Sequence, residues 1–290
     1  MSKSIKNRQA ATTGRLLREP VDLRDKPLPE PKSSLDTDDY QRVEVDKAAP
    51  EHGELLVDLR RYGIASESFY ARKDGLNAPL YRQFRTAMKS VYVRKGVAEK
   101  LAEVNRILAD YGVEVLVLDG FRPVCVQAEL WKWNIELARE ILPNPTPAEC
   151  VRFALRFCSD PGRFDEDDPT TWPTHSTGAA VDLTLRELKS GRLLYMGGIY
   201  LDPSEKSSTR FYEKEPLPSE RSELEARRNR RLLYHAMVAV GFVNYPYEWW
   251  HFDYLTQASL MNLGFPPGLK AHYGLANAGK APSADRRKRR

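Results

Sequence analysis

Cysteine is scarce and unpaired in this chain. Cys125, Cys150 and Cys158 form an odd set without a CxxC spacing, which excludes a disulfide framework and a thiolate zinc site, and fits a reducing compartment. Long apolar runs are missing too. The longest, Val113 to Leu118 and Ala236 to Val240, fall well short of the roughly 20 residues that a bilayer-spanning helix needs, so no membrane span is expected. The N-terminus is basic but lacks the apolar stretch of roughly 7 to 15 residues found in a secretory signal. The expected location is therefore the cytoplasm. There is no glycine-rich phosphate loop and no regular strand–helix–strand rhythm, which argues against a doubly wound sheet and for an α+β fold. One-signed charge is also rare: the net charge is +5, and the only dense basic run is Arg286, Arg287, Lys288, Arg289 and Arg290. That run reads as a solvated tail, so nucleic acid is not expected as a partner.

With 41% apolar residues in 290, a sizeable core is possible. The first fifty-four residues are poor in apolar clusters and interrupted by Pro20, Pro27, Pro29, Pro31 and Pro50, so residues 1–54 are expected to form an extended arm. Residues 55–275 are expected to be the main domain, and 276–290 a disordered basic tail. Within the domain, Val97, Leu101, Val104 and Leu108 recur at helical spacing before Gly112. Val113, Val115 and Val117 then alternate as a strand that turns at Asp119-Gly120 and leaves Arg122 just past its end. A helix is expected over Val126 to Leu142, and Thr146-Pro147-Ala148-Glu149 has the makings of a capping box for a short helix through Phe157. Val181 to Leu185 reads as a strand. Leu233, Met237 and Val240 mark a helix ending at Gly241, and Phe242 to Tyr254 reads as a strand-like aromatic segment.

Histidine is the most informative scarcity. Of five, two lie in segments that bring a carboxylate with them: His175-Ser-Thr-Gly-Ala-Ala-Val-Asp182 and Glu248-Trp-Trp-His251. A catalytic zinc takes three nitrogen or oxygen ligands and leaves a fourth position for water, which His175, Asp182 and His251 satisfy. Gly178 lets the chain turn between the first two. Glu248, a carboxylate beside the third ligand, suits the role of general base toward the water. Strict alternation would put positions 248 and 251 on opposite faces of a strand, so this role requires a bend at Trp249-Trp250. Those tryptophans would form apolar walls. Arg122 is expected to stabilise the charge of a tetrahedral intermediate. His235 reads as a packed or surface residue of a helix, and His52 and His272 have no carboxylate arrangement beside them.

Taken in order, Asp119-Gly-Phe-Arg122-Pro, His175-Ser-Thr-Gly-Ala-Ala-Val-Asp182-Leu-Thr-Leu and Glu248-Trp-Trp-His251-Phe resemble the D-alanyl-D-alanine dipeptidase family of zinc peptidases, which is related to zinc D-Ala-D-Ala carboxypeptidases. The resemblance runs from about Leu55 to Tyr254 and includes Asp58-Leu-Arg-Arg-Tyr62 and Met196-Gly197. It implies an α+β zinc-peptidase fold with a mostly antiparallel central sheet and flanking helices, and one Zn2+ per chain on His175, Asp182 and His251. It also implies Glu248 as base, Arg122 as clamp, and a small dipeptide as substrate. Asp202 resembles the acidic residue that holds the substrate amino group, and Tyr62 and Trp249 are carried over as substrate-binding residues. Two departures bear on the substrate. Pro173 stands where the family has a serine for the substrate carboxylate, and the Arg122 to His175 span is long. The alternatives are a zinc amidase or carboxypeptidase for another small peptide, a non-haem iron oxygenase on the same ligands, and a non-catalytic metal-stabilised binding module. The oligomeric state is not legible.

Overall fold

Helix α1 (Lys95–Ala109) forms because Val97, Leu101, Val104 and Leu108 make one apolar stripe; all four are fully buried, at roughly 1.5 to 3 kcal/mol per large apolar side chain. The chain then reverses at Gly112, whose φ of 71° belongs to the left-handed region that glycine enters at little cost, and strand β3 (Val113–Asp119) runs back along the helix. This computed structural model describes residues 22–32 and 39–276; the expectations for residues 1–21 of the arm and for the basic tail from 277 on lie outside them.

Strand β3 pairs with β4 (Ala180–Glu187), β4 with β6 (His251–Asp253), and β6 with β5 (Val243–Asn244), giving a four-stranded, wholly antiparallel sheet. A two-stranded antiparallel ribbon, β1 (Leu56–Asp58) and β2 (Tyr92–Arg94), lies apart from it. Of the helices, α1, α4 (Arg221–Ala239) and α5 (Gln257–Asn262) pack on the sheet, and α3 (Pro147–Leu155) packs on α2 (Val124–Ile141). The fold is α+β. No helix among the described residues is long and apolar enough to cross a membrane.

On β4, Val181, Leu183 and Leu185 belong to the main core, whereas Asp182 and Thr184, also buried, belong to the alternate set that points to the other face. The pleat therefore separates the core from the site. Between Val117 and Asp119 the β3–β4 register slips by a bulge, and Asp119 comes opposite Asp182. Asp182 is in turn the direct partner of His251 on β6, so three polar residues line up across neighbouring strands.

The expected single aromatic segment over Phe242 to Tyr254 is instead two short strands, β5 and β6, joined by a turn. Asn244 fixes that turn, its Nδ2 donating to the carbonyls of Glu248 (3.0 Å) and His251 (2.9 Å). Helix α3 starts on the anticipated capping box but ends at Leu155, two residues before the expected Phe157, and the chain from there forms one wall of the cleft.

The described part of the arm is held against the domain by polar contacts. His235 Nε2 lies 3.0 Å from the Lys26 carbonyl, Arg231 Nη1 donates to the Asp25 carbonyl, and Arg210 donates to the Leu28 carbonyl. Further along, Tyr40, Val43 and Ala49 are buried against the domain. Among the described residues of the arm, Leu28, Tyr40, Val43 and Ala49 are buried.

Candidate active site

His175 sits in a short 3-10 turn (Thr174–Thr177) that ends at Gly178, with φ of 73°. A Cβ on Gly178 would come within 2.5 Å of Leu56 Cδ2, so both conformation and space require glycine here. Arg94, itself buried, holds the turn from behind: its Nε donates to the Thr177 carbonyl (2.7 Å) and its Nη1 to the Glu54 carbonyl (2.5 Å). The turn is tied to the β3 end as well, since the Arg122 amide donates to the His175 carbonyl at 3.1 Å.

The three expected ligands converge. His175 Nε2 lies 3.1 Å from His251 Nδ1 and 3.4 Å from Asp182 Oδ1, and His251 Nδ1 lies 2.9 Å from Asp182 Oδ1. Metal bonds of about 2.0 to 2.1 Å at tetrahedral angles would separate neighbouring donors by about 3.3 Å, which these distances approach. The tautomers agree with that use. His175 Nδ1 faces the Gly120 carbonyl at 2.9 Å and must carry its proton there, while His251 Nε2 faces Asp253 Oδ2 at 3.0 Å. Each neutral ring then aims a lone pair, not an N–H, at the shared point. Two lone pairs and a carboxylate oxygen in a buried space repel one another unless a cation joins them. The residues fit a divalent metal.

Electrostatics sharpen the picture. Burial by itself would raise the Asp182 carboxyl, but His175 and His251 outweigh it and hold the group well below the usual carboxylate range. Burial would lower His251, but the Asp253 and Asp182 carboxylates raise it well above the ordinary imidazole value. Cationic charge is favoured at this point, whether carried by a proton or a metal.

Glu248 occupies the turn between β5 and β6, so the bend that its role required is the hairpin turn itself. Its Oε2 lies 3.9 Å from His251 Nδ1, beside the ligand set. Burial pushes its carboxyl up to about 8, against the pull of His251 and Arg122. Arg122 lies behind Asp182: Nε donates to Asp119 Oδ2 (2.7 Å), Nη1 to Gln127 Oε1 (3.0 Å) and Nη2 to Asp182 Oδ2 (3.2 Å). Its guanidinium carbon is 5.3 Å from the centroid of the Tyr70 ring, and Tyr200 donates to Asp182 Oδ2 at 2.7 Å.

The three residues carried over for substrate binding do not line the cleft. Tyr62 packs at the edge of the main core. Trp249 is buried near Arg230, whose guanidinium carbon lies 5.6 Å from its ring centroid. Asp202 turns back to accept the Ser204 amide at 2.9 Å, and its neighbour Leu201 faces the cleft instead. The paired tryptophans thus pack in the core and are not walls of the cleft. Pro173 does line it, and so do Tyr40 from the arm and Leu155 to Ser159 beyond α3. The space enclosed, open mouth included, is ≈ 770 Å³. His272 does have a carboxylate neighbour, with Glu51 Oε2 3.2 Å from its Nδ1.

Sequence reasoning missed Asp253. It is fully buried, and its other oxygen accepts from Thr174 Oγ1 (2.5 Å) and Thr256 Oγ1 (2.9 Å), which fixes it against His251. The available signal was a carboxylate two places after a ligand histidine on a strand. Asp253→Asn, which keeps the shape but weakens the acceptor, is expected to lower metal affinity by about 10-fold to 100-fold, as read by competition with a coloured chelator. An unchanged affinity would mean that the strand alone orients His251.

A metal-binding trio with a buried carboxylate beside it, set in a cleft on an antiparallel sheet, is the apparatus of a metallopeptidase. The family model described as D-Ala-D-Ala dipeptidase matches residues 55–266, and the chain belongs to that family. It is 32% identical over 178 residues to a D-alanyl-D-alanine dipeptidase of Synechocystis, covering 57% of this chain and 70% of that one. It is 30% identical over 207 residues to the Escherichia coli D-alanyl-D-alanine dipeptidase, covering 70% of this chain and 86% of the other. A solved zinc-containing vancomycin-resistance D,D-pentapeptidase, VanY, aligns at a TM-score of 0.35 and 16% identity, over 66% of this chain and 85% of that one.

Proposed function

We propose that this protein hydrolyses a small dipeptide, with D-alanyl-D-alanine as the substrate, using one Zn2+ held by His175, Asp182 and His251. The observation that carries the reading is the convergence of three lone-pair donors on one buried point with the Glu248 carboxyl beside it. Bound Zn2+ would lower the pKa of a water, polarise the scissile carbonyl and draw Glu248 back toward its ionised form. Glu248 takes the proton from the attacking water and returns it to the leaving amine. The turn amides and Asn244 fix the Glu248 backbone beside the ligand set, which keeps its carboxylate in reach of the site. Arg122 keeps a fixed positive charge next to Asp182 and favours the negative charge that develops on the carbonyl oxygen. Its contacts with Asp119, Gln127 and Tyr70 preorganise it for that role.

The test is a panel of D,D-, L,D- and L,L-dipeptides offered to the zinc-loaded full chain, with amine release as the readout. D-Ala-D-Ala is expected to be cleaved and L-Ala-L-Ala to be left intact. Cleavage of L,L-dipeptides alone would replace the substrate, and no cleavage of any member would defeat the reading.

A further inference from the structure

A dipeptide brings a free carboxylate into the cleft, and something there has to meet it. Two arginines line the space, Arg122 and Arg156. Arg122 has Nε, Nη1 and Nη2 all engaged by Asp119, Gln127 and Asp182. Arg156 is different. Among the described residues no carboxylate is paired with it; Glu149, one helical stretch back, is taken by Arg152 at 3.8 Å, and Asp160 caps the next turn by accepting from the Gly162 amide. The Arg156 guanidinium carbon stands 5.4 Å from the Phe157 ring centroid, and Phe157 packs on Phe153 at 5.1 Å. A guanidinium beside a ring in this way still carries a planar fork of N–H donors. That fork matches a carboxylate in a two-pronged hydrogen bond.

None of the three acids in the lining, Asp182, Glu248 and Asp253, forms an ion pair with Arg156, and Glu248 lies against His251. Asp182 is held by His251, Tyr200 and Arg122, and Asp253 by His251, Thr174 and Thr256. We propose that Arg156 is the carboxylate anchor of this cleft, binding the free C-terminal carboxylate of a peptide whose scissile carbonyl lies against His175, Asp182 and His251. The inference rests on the dipeptide reading and adds a residue to it, one supplied by the chain beyond α3. It restricts the substrate class to peptides with a free C-terminus next to the scissile bond; a C-terminal amide or a longer C-terminal extension offers the fork no anion there.

Arg156 is exposed to solvent at the cleft mouth, so the effect is moderate. The experiment compares D-Ala-D-Ala with D-Ala-D-Ala amide on the wild-type chain, Arg156→Gln and Arg156→Lys. In the wild type the amide is expected to show a KM about tenfold above the free acid, with similar kcat. Arg156→Gln should raise the KM of the free acid about tenfold and leave that of the amide unmoved, with Arg156→Lys between the two. An acid-to-amide ratio in Arg156→Gln equal to the wild-type ratio would overturn the anchor alone. Hydrolysis of neither compound by the wild type would remove the dipeptide reading and the anchor with it.

Discussion

Glu248→Gln is expected to lower kcat for dipeptide hydrolysis by about 100-fold to 10,000-fold while leaving metal content unchanged. Glutamine keeps the size and the turn contacts, so Asn244 still holds the backbone, but the amide cannot accept a proton at neutral pH. Glu248 is not one of the three converging ligands, which is why metal content should be insensitive to the change. Steady-state kinetics at saturating substrate beside elemental analysis of the same sample separates the two effects. Wild-type activity in the variant would remove Glu248 from the reaction; lost metal would make it a ligand.

Asp182→Ala has a second large expected effect, on metal and stability together. It removes one of three ligands and also takes one of two carboxylates from Arg122 Nη2 and the carboxylate acceptor from Tyr200 OH. A buried guanidinium deprived of one of its two carboxylates is costly, about 3 to 5 kcal/mol by analogy with broken buried ion pairs. Purified Asp182→Ala should therefore hold no stoichiometric metal and unfold at a clearly lower temperature. Asp182→Asn keeps shape and some hydrogen bonding, so it should lose metal affinity with a smaller loss of stability. Full metal occupancy in both variants would dismiss Asp182 as a ligand.

Parts of the fold were legible because their cause is local. Stripe spacing in α1, the Thr146 capping box and the β-branched alternation of β3 depend only on neighbours a few positions apart. The residues of the candidate site stood out for a different reason: few side-chain types can do metal chemistry, and this chain has few histidines to choose from. What escaped was set by contacts between distant segments. The bulge before Asp119 is a property of the β3–β4 pairing, so nothing in the β3 sequence announces that Asp119 faces Asp182. The aromatic run over 242–254 carries a turn signal at Asn244 and Pro246 that its aromatic residues mask, and the Asn244 side chain, reaching across to Glu248 and His251, fixes the hairpin there. Tyr62, Trp249 and Asp202 were assigned by resemblance, and none of them is among the residues lining the cleft. Composition reads the arm as extended but gives no sign that Tyr40 lines the cleft, which depends on packing against distant segments.

The most direct measurement strips the full chain with a chelator and titrates zinc back while following D-alanine release from D-Ala-D-Ala. The account predicts no activity in the stripped protein and a rise that breaks at about one equivalent of zinc. Activity that survives stripping, or that returns with ferrous iron and oxygen but not with zinc, would contradict it.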